Sequence, residues 1–326
     1  MLINHPLEVE DISNLHLDIH TIGYPEEGET LLTMICDGSH ALFTVLTDCY
    51  GTNDYNHIHY VMEQSNANRI DAFIWTHPDK DHSVDIPAVL AKYDPDSKAQ
   101  IFLPSGLNKH MGLSEEAIGG LNYVMKHYNS GKRYEPNYVS LNKGERQQML
   151  MSFRIKVLKS GIDVYCRYNF LLPSASVIAR RLNSDADIYL NDLSIFYIVT
   201  FNDYNYVFCG DLSEQNVKFI DPDLLENTVF IKIPHHGTDS LKTFIPKLVS
   251  KEVKEAVSVT TVFRQHGLPK DYVLADYTSI SNAVYCTSNR AIPSVDPYGC
   301  ITARFYANQP EVGIEMSGNA FCYYHS

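Results

Sequence analysis

The sequence predicts one α/β domain spanning residues 1–326, with two sheets flanked by helices in a four-layered αβ/βα sandwich. Three observations carry that expectation. Two strand-rich series, at 15–47 and 153–233, are separated by a stretch in which short apolar runs alternate with helical spacing. Several predicted strands end directly in ligand-type residues, at His77–His82, Cys209-Gly210-Asp211 and Pro234-His235-His236-Gly237. With 326 residues and 44% hydrophobic content, the chain is long enough to bury the core that such a sandwich needs.

Leu15 to Ile22 alternates in polarity, Thr30 to Cys36 continues the pattern, and Ala41 to Thr47 is an apolar run ending at Asp48-Cys49-Tyr50-Gly51. These read as a strand meander feeding one sheet. Ile58, Val61 and Met62 give Asn56 to Asn66 helical spacing, and Ala72 to Trp75 is a short buried strand. A helix over Val84 to Tyr93 and a strand over Gln100 to Leu103 follow. From Ser105 to Arg154 the composition turns polar. Glu115 to Tyr128 is helical there, and Gly131 to Gly144 is rich in Gly, Asn, Lys and Pro, so the region around 105–150 is expected to be a polar insertion or lid.

The second series comprises Phe153 to Leu158, Ile195 to Phe201, Tyr206 to Phe208 and Val229 to Ile233. The last quarter offers a strand over Ala256 to Phe263, a helix over Lys270 to Ile280, and strands over Ala283 to Thr287, Ile301 to Tyr306 and Gly313 to Met316. There is no repeat, coiled-coil heptad or low-complexity tract.

A formal charge of −13 repels polyanions over most of the surface, so contact with a nucleic acid must be local. No stretch approaches the roughly 20 apolar residues of a bilayer-spanning helix. Met1-Leu2-Ile3-Asn4-His5-Pro6 also lacks a basic region followed by an apolar run, so a cytoplasmic protein without a membrane partner is expected. The cysteines, Cys36, Cys49, Cys166, Cys209, Cys286, Cys300 and Cys322, form no CxxC pair and are read as buried thiols of a reducing compartment. His57 and His59 flank Ile58 at a polar helix start and are expected in solvent. Asp48 is expected to order the loop beneath the ligand cluster.

Divalent cations that activate water need neutral imidazoles and ionised carboxylates converging on them. His77, Asp79, Asp81 and His82 provide both types. Their spacing does not suit one helix face, but on a loop after a strand all four can turn inward.

The segment Thr76-His77-Pro78-Asp79-Lys80-Asp81-His82 is similar to the HxHxDH signature of the metallo-β-lactamase superfamily, in the HxDxDH form of the ComEC-type nuclease-like domains of DNA-uptake competence proteins. Asn191-Asp192-Leu193-Ser194-Ile195 resembles that family's Asn/Ser strand, Cys209-Gly210-Asp211-Leu212 its Gly-Asp turn, and Lys232-Ile233-Pro234-His235-His236-Gly237-Thr238 its PHHGS segment. Gln265-His266-Gly267-Leu268-Pro269 resembles its Gly-His-Pro motif. Tyr285-Cys286-Thr287 with Gly299-Cys300-Ile301 resembles its terminal strand pair. The likeness spans roughly residues 15–306 and implies the metallo-β-lactamase fold.

The resemblance implies two divalent metal ions. His77 and Asp79 would face one, Asp81 and His82 the other, and Asp211 would bridge them. Either His235 or His236 would complete the second site; His235 is the expected ligand and His236 the expected contact to a substrate phosphate. Asp81 would orient or deprotonate the attacking water. His266 would donate to a phosphate oxygen or protonate the leaving group. The family usually supplies another His before the Gly-Asp turn, yet Ser160 to Asn191 contains none. With Asp79 also replacing a His, the first site is oxygen-rich, and Mn becomes a rival to Zn.

The expected activity is that of a metal-dependent hydrolase, a phosphodiesterase or nuclease acting on DNA. One alternative keeps the centre but cleaves a lactone, thioester or other small ester or amide. Another is a subunit with a mainly structural metal site, whose recognition comes from a protein partner such as an ATPase in a DNA-processing or defence complex.

Overall fold

Two large mixed sheets face each other in the computed structural model, which describes residues 7–52, 54–129, 134–183, 189–238, 241–309 and 311–326. The strands are β1 (Leu7–Val9), β2 (Leu15–Gly23), β3 (Glu29–Asp37), β4 (His40–Thr47), β5 (Ala72–Ile74), β6 (Gln100–Pro104), β7 (Asn137–Val139), β8 (Gln148–Val157) and β9 (Asp163–Leu172). They continue as β10 (Phe196–Phe201), β11 (Tyr204–Phe208), β12 (Thr228–Lys232), β13 (Ala256–Thr260), β14 (Ser281–Cys286), β15 (Gly299–Tyr306), β16 (Val312–Gly318) and β17 (Phe321–His325). The helices are α1 (Ile58–Gln64), α2 (Ile86–Tyr93), α3 (Glu115–Asn129), α4 (Ala175–Leu182), α5 (Glu214–Val217), α6 (Phe244–Val249) and α7 (Asp271–Tyr277). Met1 to Pro6, and Gly131 to Arg133 of the expected polar connection, lie outside the described residues.

One sheet runs β16-β15-β2-β3-β4-β5-β6-β7 and the other β1-β8-β9-β10-β11-β12-β13-β14-β17. Side-chain alternation along each strand sends one set of apolar residues between the sheets. Leu17, Ile19, Val45 and Ile74 meet Phe153, Tyr168, Phe208 and Phe230 there. The buried Tyr197 hydroxyl pairs with Thr47 Oγ1 across the two sheets at 2.7 Å. On the far side of the eight-stranded sheet, Met34, Leu46, Phe73 and Trp75 pack against Ile58 and Met62 of α1, Ile86 and Leu90 of α2, and Leu121 and Val124 of α3. On the far side of the other sheet, Val207 and Ile231 pack against Phe244 and Leu248 of α6 and Leu274 and Tyr277 of α7. The layer order is therefore helix, sheet, sheet, helix.

From 105 to 139 the described residues are part of the fold rather than a polar insertion or lid. Leu107, Met111, Leu113, Ala117, Leu121 and Val124 are all buried, and β7 pairs in parallel with β6, extending the sheet. A Cβ added to Gly120 would stand 3.0 Å from Ile86 Cδ1 and 3.4 Å from the Trp75 ring, which shows how closely α3 covers the strand leading to the first motif. Its polar composition belongs to the outward face of a covering helix and to the exposed stretch 142–149.

Other expectations also change. β9 and α4 fill the stretch after Ser160, where no strand or helix is expected from the sequence. Tyr285–Thr287 and Gly299–Ile301 do not pair: β14 lies beside β13 and β17, while β15 lies beside β2 and β16 in the other sheet. His57 is buried, its ring stacked on Tyr298 at 3.7 Å, and His59 pairs with the Tyr93 hydroxyl at 3.0 Å. Cys322 is exposed, whereas the other cysteines are buried and all are free.

Phe208 is fully buried between the sheets and stacks on Tyr197 at 4.7 Å. Phe208→Ala is expected to lower unfolding free energy by about 3–5 kcal/mol through lost burial and the cavity left behind. Urea denaturation measures the loss, and a change under about 1 kcal/mol would contradict this packing.

Candidate metal centre

Parallel pairing delivers the motif-bearing loops to one rim. β4 and β5 run in parallel, as do β11 with β12 and β12 with β13, so the loops after these strands leave from carboxyl ends. Crevices at such ends are where open α/β sheets bind ligands. Main-chain and hydroxyl contacts lock the loops together: Ile195 N donates to Thr76 O at 2.9 Å across the two sheets, and Asp211 N donates to Ser194 Oγ at 3.0 Å within one of them. Cys49 N donates to His82 O at 3.1 Å and His235 N to Gly210 O at 3.0 Å.

Asn191 and Asp192, expected on a strand, sit instead in the 3₁₀ turn Leu190–Leu193 that precedes β10. Gly210 adopts φ 48°, and a Cβ there would come within 2.4 Å of Ser194 Oγ, so only glycine fits this turn. His235 and His236 also have positive φ, 47° and 51°. Left-handed backbone costs a residue with a side chain roughly 1–2 kcal/mol, and such strain gathers where surrounding structure holds a functional conformation.

Outer hydrogen bonds decide which nitrogen of each imidazole is bare. His82 Nδ1 lies 2.7 Å from Asp48 Oδ2, and a carboxylate only accepts, so Nδ1 carries the proton. Thr76 Oγ1 donates to Asp48 Oδ2 at 2.6 Å, which leaves its oxygen to accept from His77 Nδ1 at 3.0 Å. Thr261 Oγ1 likewise donates to Glu29 Oε2 at 2.6 Å and accepts from His236 Nδ1 at 2.8 Å. In the neutral rings, all three Nε2 atoms therefore present lone pairs to the centre.

They face other acceptors. His77 Nε2 is 3.3 Å from Asp79 Oδ2 and 3.9 Å from Asp211 Oδ2. His82 Nε2 is 3.4 Å from Asp81 Oδ2 and 3.5 Å from Asp211 Oδ1. His236 Nε2 is 3.1 Å from Asp81 Oδ2 and 3.9 Å from Asp211 Oδ1. His77 Nε2, His82 Nε2 and Asp211 Oδ1 are buried without hydrogen-bond partners among the described residues. Asp81, His82, Asp211 and His236 form a buried group that could hold a metal ion. Lone pairs converging on carboxylates fit cations placed between them, and outer carboxylates that set the imidazole tautomer are characteristic of metal ligands.

Charge follows the same geometry. Burial opposes a proton on His82, but Asp81, Asp48 and Asp211 hold its pKa well above the ordinary imidazole value. Burial and the neighbouring His82 also oppose a proton on His77, yet Asp79 and Asp211 raise it. Burial works against ionised Asp81 and Asp211, but the surrounding histidines keep both well below the usual carboxylate range. His235 is lowered, chiefly by burial. The carboxylates thus create a demand for positive charge that protons meet when no cation does.

His77, Asp79, Asp81, His82, Asp211, His235 and His236 all come together, but the paired histidines stand differently from expectation. His236, expected at a substrate phosphate, is fully buried among the ligand-type atoms. His235 is on the open side, 28% exposed, with Nε2 3.5 Å from Asp211 Oδ2 and 3.3 Å from Asn191 Nδ2. His266 stays exposed at the rim in the same cleft as Asp81, Asp211 and His235, its ring 4.5 Å from that of Phe263, which in turn lies 5.3 Å from His236. Asp48 does more than order a loop, since it orients both Thr76 and His82.

Sequence reasoning did not single out Glu29, Lys232 or Thr261. Glu29 and Lys232 form a fully buried ion pair at 2.7 Å. Burial pushes Glu29 up, but Lys232, His236 and His82 bring it down to about 2. A lysine inside the apolar run Val229–Ile233 is the available sequence signal, because a buried ammonium needs a partner. Nothing local marks Thr261. No protein-family model matches the sequence, and no curated protein matches it.

Lys232→Ala leaves Glu29 buried without its cation and is expected to cost about 3–5 kcal/mol in chemical denaturation; a near-neutral effect would count against the buried pair. Mn²⁺ or Zn²⁺ is expected to raise the melting temperature and a chelator to reverse it, because cations binding only the folded state stabilise it by about 2.7 kcal/mol at 100 times Kd. Asp211→Asn is expected to abolish most of that shift.

Proposed function

We propose that the chain is a metal-dependent phosphodiesterase of the metallo-β-lactamase fold, with DNA as its substrate class. The observation that carries this reading is the aim of the His77, His82 and His236 lone pairs at Asp79, Asp81 and Asp211, with one Asp211 oxygen turned to each side. His77, Asp79 and His235 would hold one divalent cation, Asp81, His82 and His236 the other, and Asp211 both. Mixed nitrogen and oxygen donors suit Zn²⁺ and Mn²⁺ alike. When bound, such a pair supplies Lewis-acid polarisation of the phosphoryl group, an acidified water and neutralisation of developing charge.

The chain's own groups would do the remainder. Asp81, 3.1 Å from His236 Nε2, would orient the attacking water and accept its proton. A cleft of about 600 Å³ leads to the centre, with Asn191, His266 and Lys270 in its wall. Lys270 would bring positive charge to a phosphate, and His266 would donate to a phosphate oxygen or the leaving group. Tyr189, 63% exposed in the same wall, offers a stacking face for a base. A local contact of this kind is what a chain of charge −13 requires for a polyanion.

Hydrolysis of bis-p-nitrophenyl phosphate and of single- and double-stranded DNA, with Mn²⁺, Mg²⁺ and Zn²⁺ added separately, tests the reading. Asp81→Asn is expected to slow turnover roughly 10²–10⁴-fold with the fold intact. Turnover of a lactone or thioester panel with no phosphodiester cleavage would sink it.

A further inference from the structure

Away from this rim, a cavity of about 380 Å³ opens on the outer face of the eight-stranded sheet, beside α1 and β16. Strand register gathers a polar row beside and beneath it. His16, Asp18 and His20 alternate along β2 and share one face; Cys36 stands opposite His16 on β3, and Arg304 and Thr302 stand opposite Asp18 and His20 on β15. Alternation of this kind ordinarily places polar residues in water, yet His16, Asp18 and Cys36 are only 3%, 2% and 2% exposed.

His16 Nδ1 lies 2.8 Å from the carbonyl oxygen of Asn14, which only accepts, so Nδ1 carries the proton and Nε2 is bare in the neutral ring. Nε2 has no hydrogen-bond partner among the described residues and faces Asp18 Oδ1 at 3.5 Å. Arg304 donates to Asp18 from Nε to Oδ1 and from Nη2 to Oδ2, each at 2.8 Å. That fork occupies two of the roughly four lone-pair positions of a carboxylate, so Oδ1 retains capacity on the His16 side. The Cys36 sulfur completes the group, with ligand atoms of all three residues within 4.8 Å of one another. A lone pair facing a carboxylate calls for positive charge between them, and the nearby sulfur makes a metal cation, rather than a proton alone, the occupant that uses every donor.

We propose that His16 Nε2, Asp18 Oδ1 and Cys36 Sγ form a second cation site, for a divalent transition ion of the zinc class. Imidazole, carboxylate and thiolate together suit a borderline-soft ion in four-coordinate geometry. Asp18 and Cys36 line the cavity, which gives the ion a way in and leaves room for a water or small polar ligand as fourth partner. The Cys36 thiol gives up its proton to solvent as the sulfur–metal bond forms. The site shares no residue with the centre at the strand ends and stands whether or not that centre cleaves phosphodiesters.

Cobalt titration of the full chain separates the two sites, because thiolate-bound Co²⁺ gives a near-ultraviolet charge-transfer absorption that nitrogen and oxygen donors do not. The proposed ligands at the strand ends include no cysteine. The wild-type protein is expected to develop this absorption to an amplitude of one thiolate-bound Co²⁺ per chain, reached within three Co²⁺ per chain because the strand-end centre takes up to two. Asp211→Asn is expected to keep it, Cys36→Ser to lose it, and His16→Gln, which retains the thiol, to need roughly tenfold or more additional Co²⁺. A Cys322→Ser background removes the exposed thiol. Absence of the band in the wild type, its survival in Cys36→Ser, or an unchanged midpoint in His16→Gln would overturn the proposal.

Discussion

Acceptor atoms buried face to face, with their hydrogen bonds spent elsewhere, set the conditions on which the rim of this molecule depends. Asp48 occupies the Nδ1 side of His82 and holds Thr76, which in turn holds His77; Thr261 and Glu29 do the same for His236. Each outer bond turns a lone pair inward toward Asp79, Asp81 or Asp211. The arrangement is electrostatically costly in isolation. It persists because positive charge, as protons or as metal ions, can occupy the space between the acceptors.

Such an arrangement needs a rigid frame. The centre draws on both sheets, so a small slide between them would separate Asp211 from the first motif. Thr47 and Tyr197 bridge the sheets beneath the rim, and Ile195 with Thr76 bridges them at it. The buried Lys232–Glu29 pair reaches from β12 in one sheet to β3 in the other. A hydrophobic pair of similar volume could be as stable, but it would not supply the oxygen that holds Thr261 and, through it, His236. Left-handed backbone at His235 and His236 adds strain that the same contacts keep in place.

The outer face of the eight-stranded sheet repeats this logic on a smaller scale. Where α1 ends its cover, a polar row on β2 is buried instead of wet, and Arg304 answers Asp18. His16 is again held by an outer acceptor, Asn14 O, so that its second nitrogen looks inward. Strand alternation alone would send these residues to solvent; instead Arg304 and Tyr306 of the neighbouring strand β15 lie against Asp18 and His16.

Much of this was legible in the chain because it is local. The ligand types at His77–His82, Asp211 and His235-His236 lie at the ends of apolar runs whose length and branching mark them as strands, and the meander from Leu15 to Thr47 joins alternating segments to the apolar run Ala41–Thr47. β9 carried the same signal, with Val164, Cys166, Tyr168 and Phe170 buried in alternation with Asp163, Tyr165 and Arg167, though short polar interruptions disguised it. The 105–150 region misled because a helix covering a sheet is polar on one face, and average composition hides which face is buried. By itself the sequence determined which ligand-type residues follow apolar strands and that two sheets are flanked by helices, since these depend on residue type and short-range period. Only tertiary structure decided which imidazole nitrogen is bare, that His236 is buried while His235 meets the cleft, and that Glu29 supports the centre from the opposite sheet. Those outcomes depend on hydrogen-bond partners contributed by distant strands, and no local pattern encodes a partner that arrives through folding.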